Sequence, residues 1–222
     1  MCGRFTVLAP REQVEEAFSV VIDEKNYQEN YNVAPGQNVL AIIQNAKSKR
    51  AGYLRWGLVP SWAKDEKIGY KMINARSESV HEKPSFRNLL IQKRCLIVAD
   101  SFYEWQKEGT HKQPKRIQLA DRNLFAFAGL WDLWEHENKK IFTCTILTKA
   151  ANAFMQSIHT RMPIILPKDK EAEWIRPEKM APETAQQFLQ SLEDEEMKAY
   201  DVSAYVNAAK HNDAQCIAPL VK

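Results

Sequence analysis

Arg116-Ile117-Gln118-Leu119-Ala120-Asp121-Arg122-Asn123-Leu124-Phe125-Ala126-Phe127-Ala128 is the stretch on which the fold turns. Two runs of strand character, Arg116 to Leu119 and Leu124 to Ala128, flank Asp121-Arg122-Asn123. Asp and Asn tolerate the backbone conformations of a tight reversal, so the stretch predicts a β-hairpin. Outward from it, β-branched and aromatic runs predict strands at Val39 to Ile43, Cys95 to Ala99 and Phe142 to Leu147, with weaker candidates at Pro163 to Leu166 and Val202 to Val206. Helical spacing of apolar residues occurs at Pro10 to Phe18, Lys149 to Ile158, Glu171 to Ile175 and Glu183 to Leu192. Strands and helices do not alternate regularly. The pattern therefore predicts an α+β fold in a single domain over residues 1–222, with a largely antiparallel, curved or barrel-like sheet as core and helices at its periphery.

A chain of 222 residues that is 45% hydrophobic can bury one sizeable core. Charged residues make up 27%, and the uncharged apolar runs are only strand-length, which excludes a disordered chain and a transmembrane helix. No GxGxxG or phosphate-binding loop occurs, so nucleotide-cofactor chemistry loses its usual support. Met1-Cys2-Gly3-Arg4-Phe5-Thr6 leads to the charged Arg11-Glu12-Gln13 without an apolar signal region, and a cytoplasmic location is expected. The cysteines at 2, 95, 144 and 216 form no CxxC pair, so the spacing encodes neither a zinc site nor a disulfide framework. Cys95 and Cys144 lie in apolar runs and read as buried small hydrophobes. Cys2 has no such packing explanation.

Net charge is only +3, but it is unevenly placed. Asn45 to Arg94 holds twelve Lys/Arg against four Asp/Glu, while Lys168 to Asp201 holds five against ten. The first segment suits a polyanion, although Lys47-Ser48-Lys49-Arg50 reads as a solvated loop.

Removal of Met1, which the small Cys2 side chain permits, would give Cys2 a thiol and a free α-amine together. An α-amine with a pKa of about 7.7 to 8.0 is substantially neutral near neutral pH and can attack a carbonyl to give an imine, on which the thiol then closes as a thiazolidine. Elsewhere, five segments combine polar groups with aromatic or proline anchors: Tyr31-Asn32-Val33-Ala34-Pro35-Gly36, Arg55 to Trp62, Ile73-Asn74-Ala75-Arg76-Ser77-Glu78, Phe102-Tyr103-Glu104-Trp105 and Ile158-His159-Thr160-Arg161-Met162-Pro163. With the Met-Cys-Gly-Arg-Phe start, they make the chain resemble the SRAP family, the SOS response-associated peptidases known for suicidal crosslinking to abasic sites in single-stranded DNA. The resemblance runs from Cys2 to about Pro219.

The resemblance implies that Cys2 is the crosslinking nucleophile, with Asn74, Glu104 and His159 around it. Glu104, flanked by Tyr103 and Trp105, would have its pKa raised by desolvation and exchange protons as the sugar ring opens; it would also help to reverse the crosslink. His159, with a reference pKa of about 6.5, suits proton transfer during imine formation, and Asn74 suits orientation of the amine. Taken alone, Glu104 reads equally as a surface carboxylate, His159 as a cation at a helix end and Asn74 as a turn residue. Arg4, Arg76 and Arg161 would hold phosphates beside the lesion, Asn32 and Thr148 match positions bonded to the DNA backbone, and Pro35 and Trp62 match apolar positions against flanking bases. Trp56 and Trp105 read as core anchors.

The expected partner is single-stranded DNA containing abasic sites, met by a monomer that does not engage membranes. Neither a metal nor an organic cofactor is called for. Two alternatives remain open at this level: an amino-terminal nucleophile peptidase, whose minimal act is removal of its own Met1, and a non-catalytic single-strand binding module. Lyase chemistry is a further expectation where an imine drifts to β-elimination.

Overall fold

The computed structural model describes residues 2–220. The fate of Met1 therefore lies outside the described residues. The chain forms two sheets around one main hydrophobic core, in the α+β arrangement expected.

The larger sheet is a closed barrel. Its staves are β3 (Asn38–Gln44), β4 (Lys49–Trp56), β6 (Arg94–Ala99), β9 (Phe125–His136) and β10 (Lys139–Ala150). β3 pairs antiparallel with β4 and β6, β9 pairs antiparallel with β6 and β10, and β10 closes the ring on β4 in parallel, with Thr143 opposite Arg55. Short strands extend the rim: β5 (Asn74–Arg76) and β11 (Arg161–Pro163) lie on β10, and β12 (Ile165–Leu166) lies on β9. Closure explains why Cys95 to Ala99 and Phe125 to Leu130 are buried without alternation, since β6 and β9 are covered on both faces.

The smaller sheet has the order β13–β8–β7–β1–β2, formed by β1 (Arg4–Val7), β2 (Asn30–Val33), β7 (Ser101–Glu108), β8 (His111–Leu119) and β13 (Met197–Asp201). Its inner face meets the barrel through an aromatic seam. Phe5 sits 5.2 Å from Trp56 and 5.6 Å from Phe127, and Phe102 sits 6.2 Å from Phe127, all at tilted or edge angles. Helices α1 (Arg11–Phe18), α2 (Pro84–Gln92), α3 (Ala153–Gln156), α4 (Glu171–Trp174) and α5 (Pro182–Ser191) lie outside the sheets. Among the described residues no helix is long and apolar enough to cross a membrane.

Three local expectations are corrected. Asp121-Arg122-Asn123 does not turn a hairpin: β8 pairs with β7 and β13, whereas β9 belongs to the barrel. The segment is a crossover, held by Arg122 through two bonds to the Glu195 carboxylate and one to the Leu166 carbonyl. Lys149 and Ala150 do not begin a helix, because ladder pairing with Met162 and Arg161 keeps them in β10; α3 starts only after Asn152, whose side chain accepts the Met155 N–H. The strand expected at Val202 to Val206 lies upstream at Met197–Asp201, since Ser203 accepts the Tyr205 N–H and starts a 3-10 turn.

Candidate functional site

β1 delivers Cys2 to the site. It lies between β2 and β7, with Arg4 opposite Tyr103 and Phe5 opposite Phe102. Continued toward the amino terminus, this antiparallel register lays Gly3 and Cys2 alongside Glu104 and Trp105. Packing at Cys2 corrects the sequence reading, because the residue is fully buried and joins the main core. Burial, reinforced by the negative charge of Glu104, pushes the Cys2 thiol far above its ordinary pKa.

Three expected partners surround this terminus. Asn74, the first residue of β5, donates from Nδ2 to the Cys2 carbonyl at 2.8 Å. Its Oδ1 is buried and has no hydrogen-bond partner among the described residues. Glu104 lies in β7 and is only 3% exposed, which removes the surface-carboxylate alternative. His159 lies between α3 and β11, and its Nε2 stands 3.9 Å from Glu104 Oε1. The Arg161 backbone N–H donates to His159 Nδ1 at 2.9 Å. The Arg161 carbonyl lies 3.2 Å from the same Nδ1, so the Arg161 backbone fixes the ring from one side and leaves Nε2 facing the carboxylate.

Beside the pair opens a cleft of about 670 Å³, lined by Glu104, Trp105 and Lys107 of β7, Lys112 of β8, residues 158–160 and Asn207. Trp105 is therefore not the core anchor expected: it is half-buried on the cleft wall and donates from Nε1 to Asn207 Oδ1 at 2.7 Å. Trp56, by contrast, is core as expected. Asn207, Lys107 and Lys112 had no assigned role in the sequence reading. The cross-strand register that gathers them is their main signal.

The expected DNA-binding residues divide by exposure. Arg76 is exposed on β5, two residues beyond Asn74 and on the same strand face. Arg161 grips both carboxylate oxygens of Glu78, at 2.5 and 2.9 Å, and donates to the Thr148 carbonyl at 2.8 Å and hydroxyl at 3.1 Å. Glu78 is correspondingly held below the usual carboxylate range, chiefly by these hydrogen bonds. Thr148 and Asn32 lie beneath the surface rather than on it. Asn32 donates to the carbonyls of Val206, Ala208 and His211 and accepts from Arg4 at 2.9 Å, while Arg4 also binds the carbonyls of Val206 and Asn207. This group clamps the 204–217 segment against β1 and β2.

Trp62 and Pro35 sit on separate loops. Trp62 is 61% exposed. Its loop is closed where Gly57 and Gly69 meet back to back; a Cβ on either would come within 2.7 Å of the other's carbonyl oxygen. Tyr70 follows this contact, is 70% exposed and lies against Gly36 beside Pro35. Sequence reasoning missed Tyr70 because it sits in the charged loop 63–71, where spacing carries no period.

Comparison with known proteins agrees over nearly the whole length. Residues 1–209 match the family described as SOS response associated peptidase (SRAP). The chain is 49% identical over 221 residues to the abasic site processing protein YoaM of Bacillus subtilis, covering 98% of this chain and 97% of that protein. It is 29% identical over 231 residues to the abasic site processing protein HMCES of Xenopus tropicalis, covering 90% of this chain and 68% of that one. A crystal structure of a protein from Bacteroides thetaiotaomicron superposes with a TM-score of 0.89 at 26% identity, covering 99% of this chain and all of that one. With Cys2, the residues gathered around it and this agreement over nearly the whole chain, the chain belongs to the SRAP family.

Proposed function

We propose that the protein processes abasic sites in DNA, binding single strands and attaching Cys2 covalently to the ring-opened sugar. The observation that carries this reading is the convergence at one terminus of Asn74, bonded to Cys2, and the Glu104–His159 pair beside the Cys2 strand. The name abasic site processing protein, borne by relatives aligned over most of this chain, supports it.

An abasic deoxyribose is mainly a closed hemiacetal. On this reading Glu104 and His159 move a proton from the anomeric hydroxyl and return one to the ring oxygen, releasing the aldehyde. With Met1 removed, the Cys2 amine adds to the aldehyde carbon, and loss of water leaves an imine. The S–H then adds across the C=N bond: sulfur bonds to carbon, and nitrogen gains the proton. The product is a thiazolidine, and all atoms balance without a cofactor. Because burial holds the thiol neutral, its proton must leave to a neighbouring base during ring closure, a task for Glu104 or His159. Asn74 orients the terminus through the Cys2 carbonyl. Removal of Met1 by the same site is the minimal peptidase act, and β-elimination from an unclosed imine is the lyase act.

On this reading Arg76 and Arg161 hold phosphates, Arg161 by exchanging Glu78 for DNA, and Trp62 and Pro35 meet flanking bases. Arg4, Asn32 and Thr148 serve by holding the surfaces in shape. Incubation with abasic single-stranded DNA followed by a denaturing gel tests the proposal. A heat-stable slow band that disappears in Cys2→Ala is expected. No band, or an active protein whose intact mass retains Met1, would overturn it; peptide turnover without a band would favour the peptidase.

A further inference from the structure

Beyond the four residues around the aldehyde, the cleft continues onto the β7–β8 hairpin. The ladder places Lys107 directly opposite Lys112, with Gln106 opposite Gln113 and Trp105 opposite Pro114. Directly opposed residues share a sheet face, so Trp105, Lys107 and Lys112 stand together on the cleft side. Opposed like charges destabilise an antiparallel pair when nothing lies between them. Among the described residues neither lysine has an acidic partner, whereas their neighbour Lys115 is paired with Asp201 at 2.5 Å. The hairpin is also braced to the other cleft wall: Gln106 donates from Nε2 to the Ser157 carbonyl at 2.6 Å, two residues before His159. Lys107 and Lys112 line the same cleft as Glu104 and His159.

We propose that Lys107 and Lys112 form a phosphate subsite that takes backbone phosphates of the lesion-bearing strand next to the abasic sugar. This rests on the function proposed above and extends it. Two lysines on one hairpin fit a phosphodiester as paired point charges, and a bound phosphate offsets their mutual repulsion. The subsite is independent of base identity, as a lesion-binding surface requires.

Equilibrium binding of undamaged single-stranded DNA, measured as log K against log salt, tests it. Each neutralised phosphate contributes a slope of about 0.7, so Lys107→Gln/Lys112→Gln should flatten the slope by about 1 to 1.5 and Lys107→Arg/Lys112→Arg should restore it. Lys47→Gln serves as the charge control. It removes a lysine from the turn at the end of the β3–β4 hairpin remote from Gly36, and should leave the slope unchanged. A double glutamine variant that melts like wild type yet shows the Lys47→Gln slope would overturn the subsite. So would a slope change that appears only when a complementary strand is annealed, since the phosphate would then belong to that strand. Crosslinking of abasic DNA by the wild-type protein, run in parallel, separates the two proposals: its absence sinks the function, while normal crosslinking with an unchanged slope sinks only the lysine subsite.

Discussion

Cys2 draws attention in the sequence as the cysteine without a packing explanation, yet it is fully buried. Its neutral thiol has a direct consequence: at pH 8, where an ordinary cysteine is substantially ionised, Cys2 in the folded protein should react with iodoacetamide at least about tenfold more slowly than in urea. Mass spectrometry of the labelled amino-terminal peptide reads the ratio, and equal rates would contradict the burial. Cys2→Ser keeps an amine for imine formation but lacks the sulfur, so most of the heat-stable adduct should vanish while borohydride trapping still captures the imine. At this scale the site was legible only in part. Asn74, Glu104 and His159 each carry an ordinary structural reading, and the order of five segments, rather than any one residue's chemistry, singled them out. Lys107 and Lys112 were illegible because only the ladder puts them opposite each other.

Arg94 opens β6 and is buried, and among the described residues it forms no direct ion pair with a carboxylate, yet it donates to the carbonyls of Leu90, Ile91, Trp174, Arg176 and Glu178. One guanidinium therefore terminates α2 and α4 and fastens both to the barrel. Arg94→Ala should cost about 3 kcal/mol or more in urea unfolding, since it strands several buried acceptors, and Arg94→Lys should recover little because an ammonium cannot span them. A loss below about 1 kcal/mol would show that water or backbone shifts replace the bonds. Elements with one dominant period were readable: α1, α5, β3 and β6 lie within one or two residues of expectation. The hairpin at Asp121-Arg122-Asn123 was not, since local turn chemistry says nothing about which sheet receives the next strand. Likewise α2, β1 and β2 escaped notice, their short apolar patterns being decided by what packs on them.

Barrel closure sets the tightest requirement on the whole molecule. Gly129 in β9 faces Cys95 of β6 and Ile146 of β10 at once, and a Cβ there would stand 2.8 Å from both the Cys95 sulfur and Ile97 Cδ1. Gly129→Ala should destabilise by about 1 to 3 kcal/mol by overpacking, and Gly129→Ala/Cys95→Ala should regain part of the loss in a double-mutant cycle. Strict additivity would place the strain elsewhere. The same interior governs alkaline stability. Burial raises the thiol pKa of Cys2, Cys95 and Cys144. An unfolded chain ionises its thiols near about pH 8.5 while the folded state keeps those protons, so unfolding free energy falls as pH rises above that value, by up to about 1.4 kcal/mol per pH unit for each thiol. Urea midpoints should be flat from pH 7 to 8 and fall from 8.5 to 10; a flat profile throughout would refute it. Finally, β1 is flanked by β2 and β7 and follows Cys2 after a single glycine. Any tension on a captured DNA strand would enter the protein along β1, loading the hydrogen bonds of both ladders simultaneously in shear instead of peeling them one at a time. If Cys2 takes up DNA as proposed, the placement of β1 would make the attachment point a mechanical anchor, and the adduct should withstand a pulling motor until the smaller sheet itself gives way.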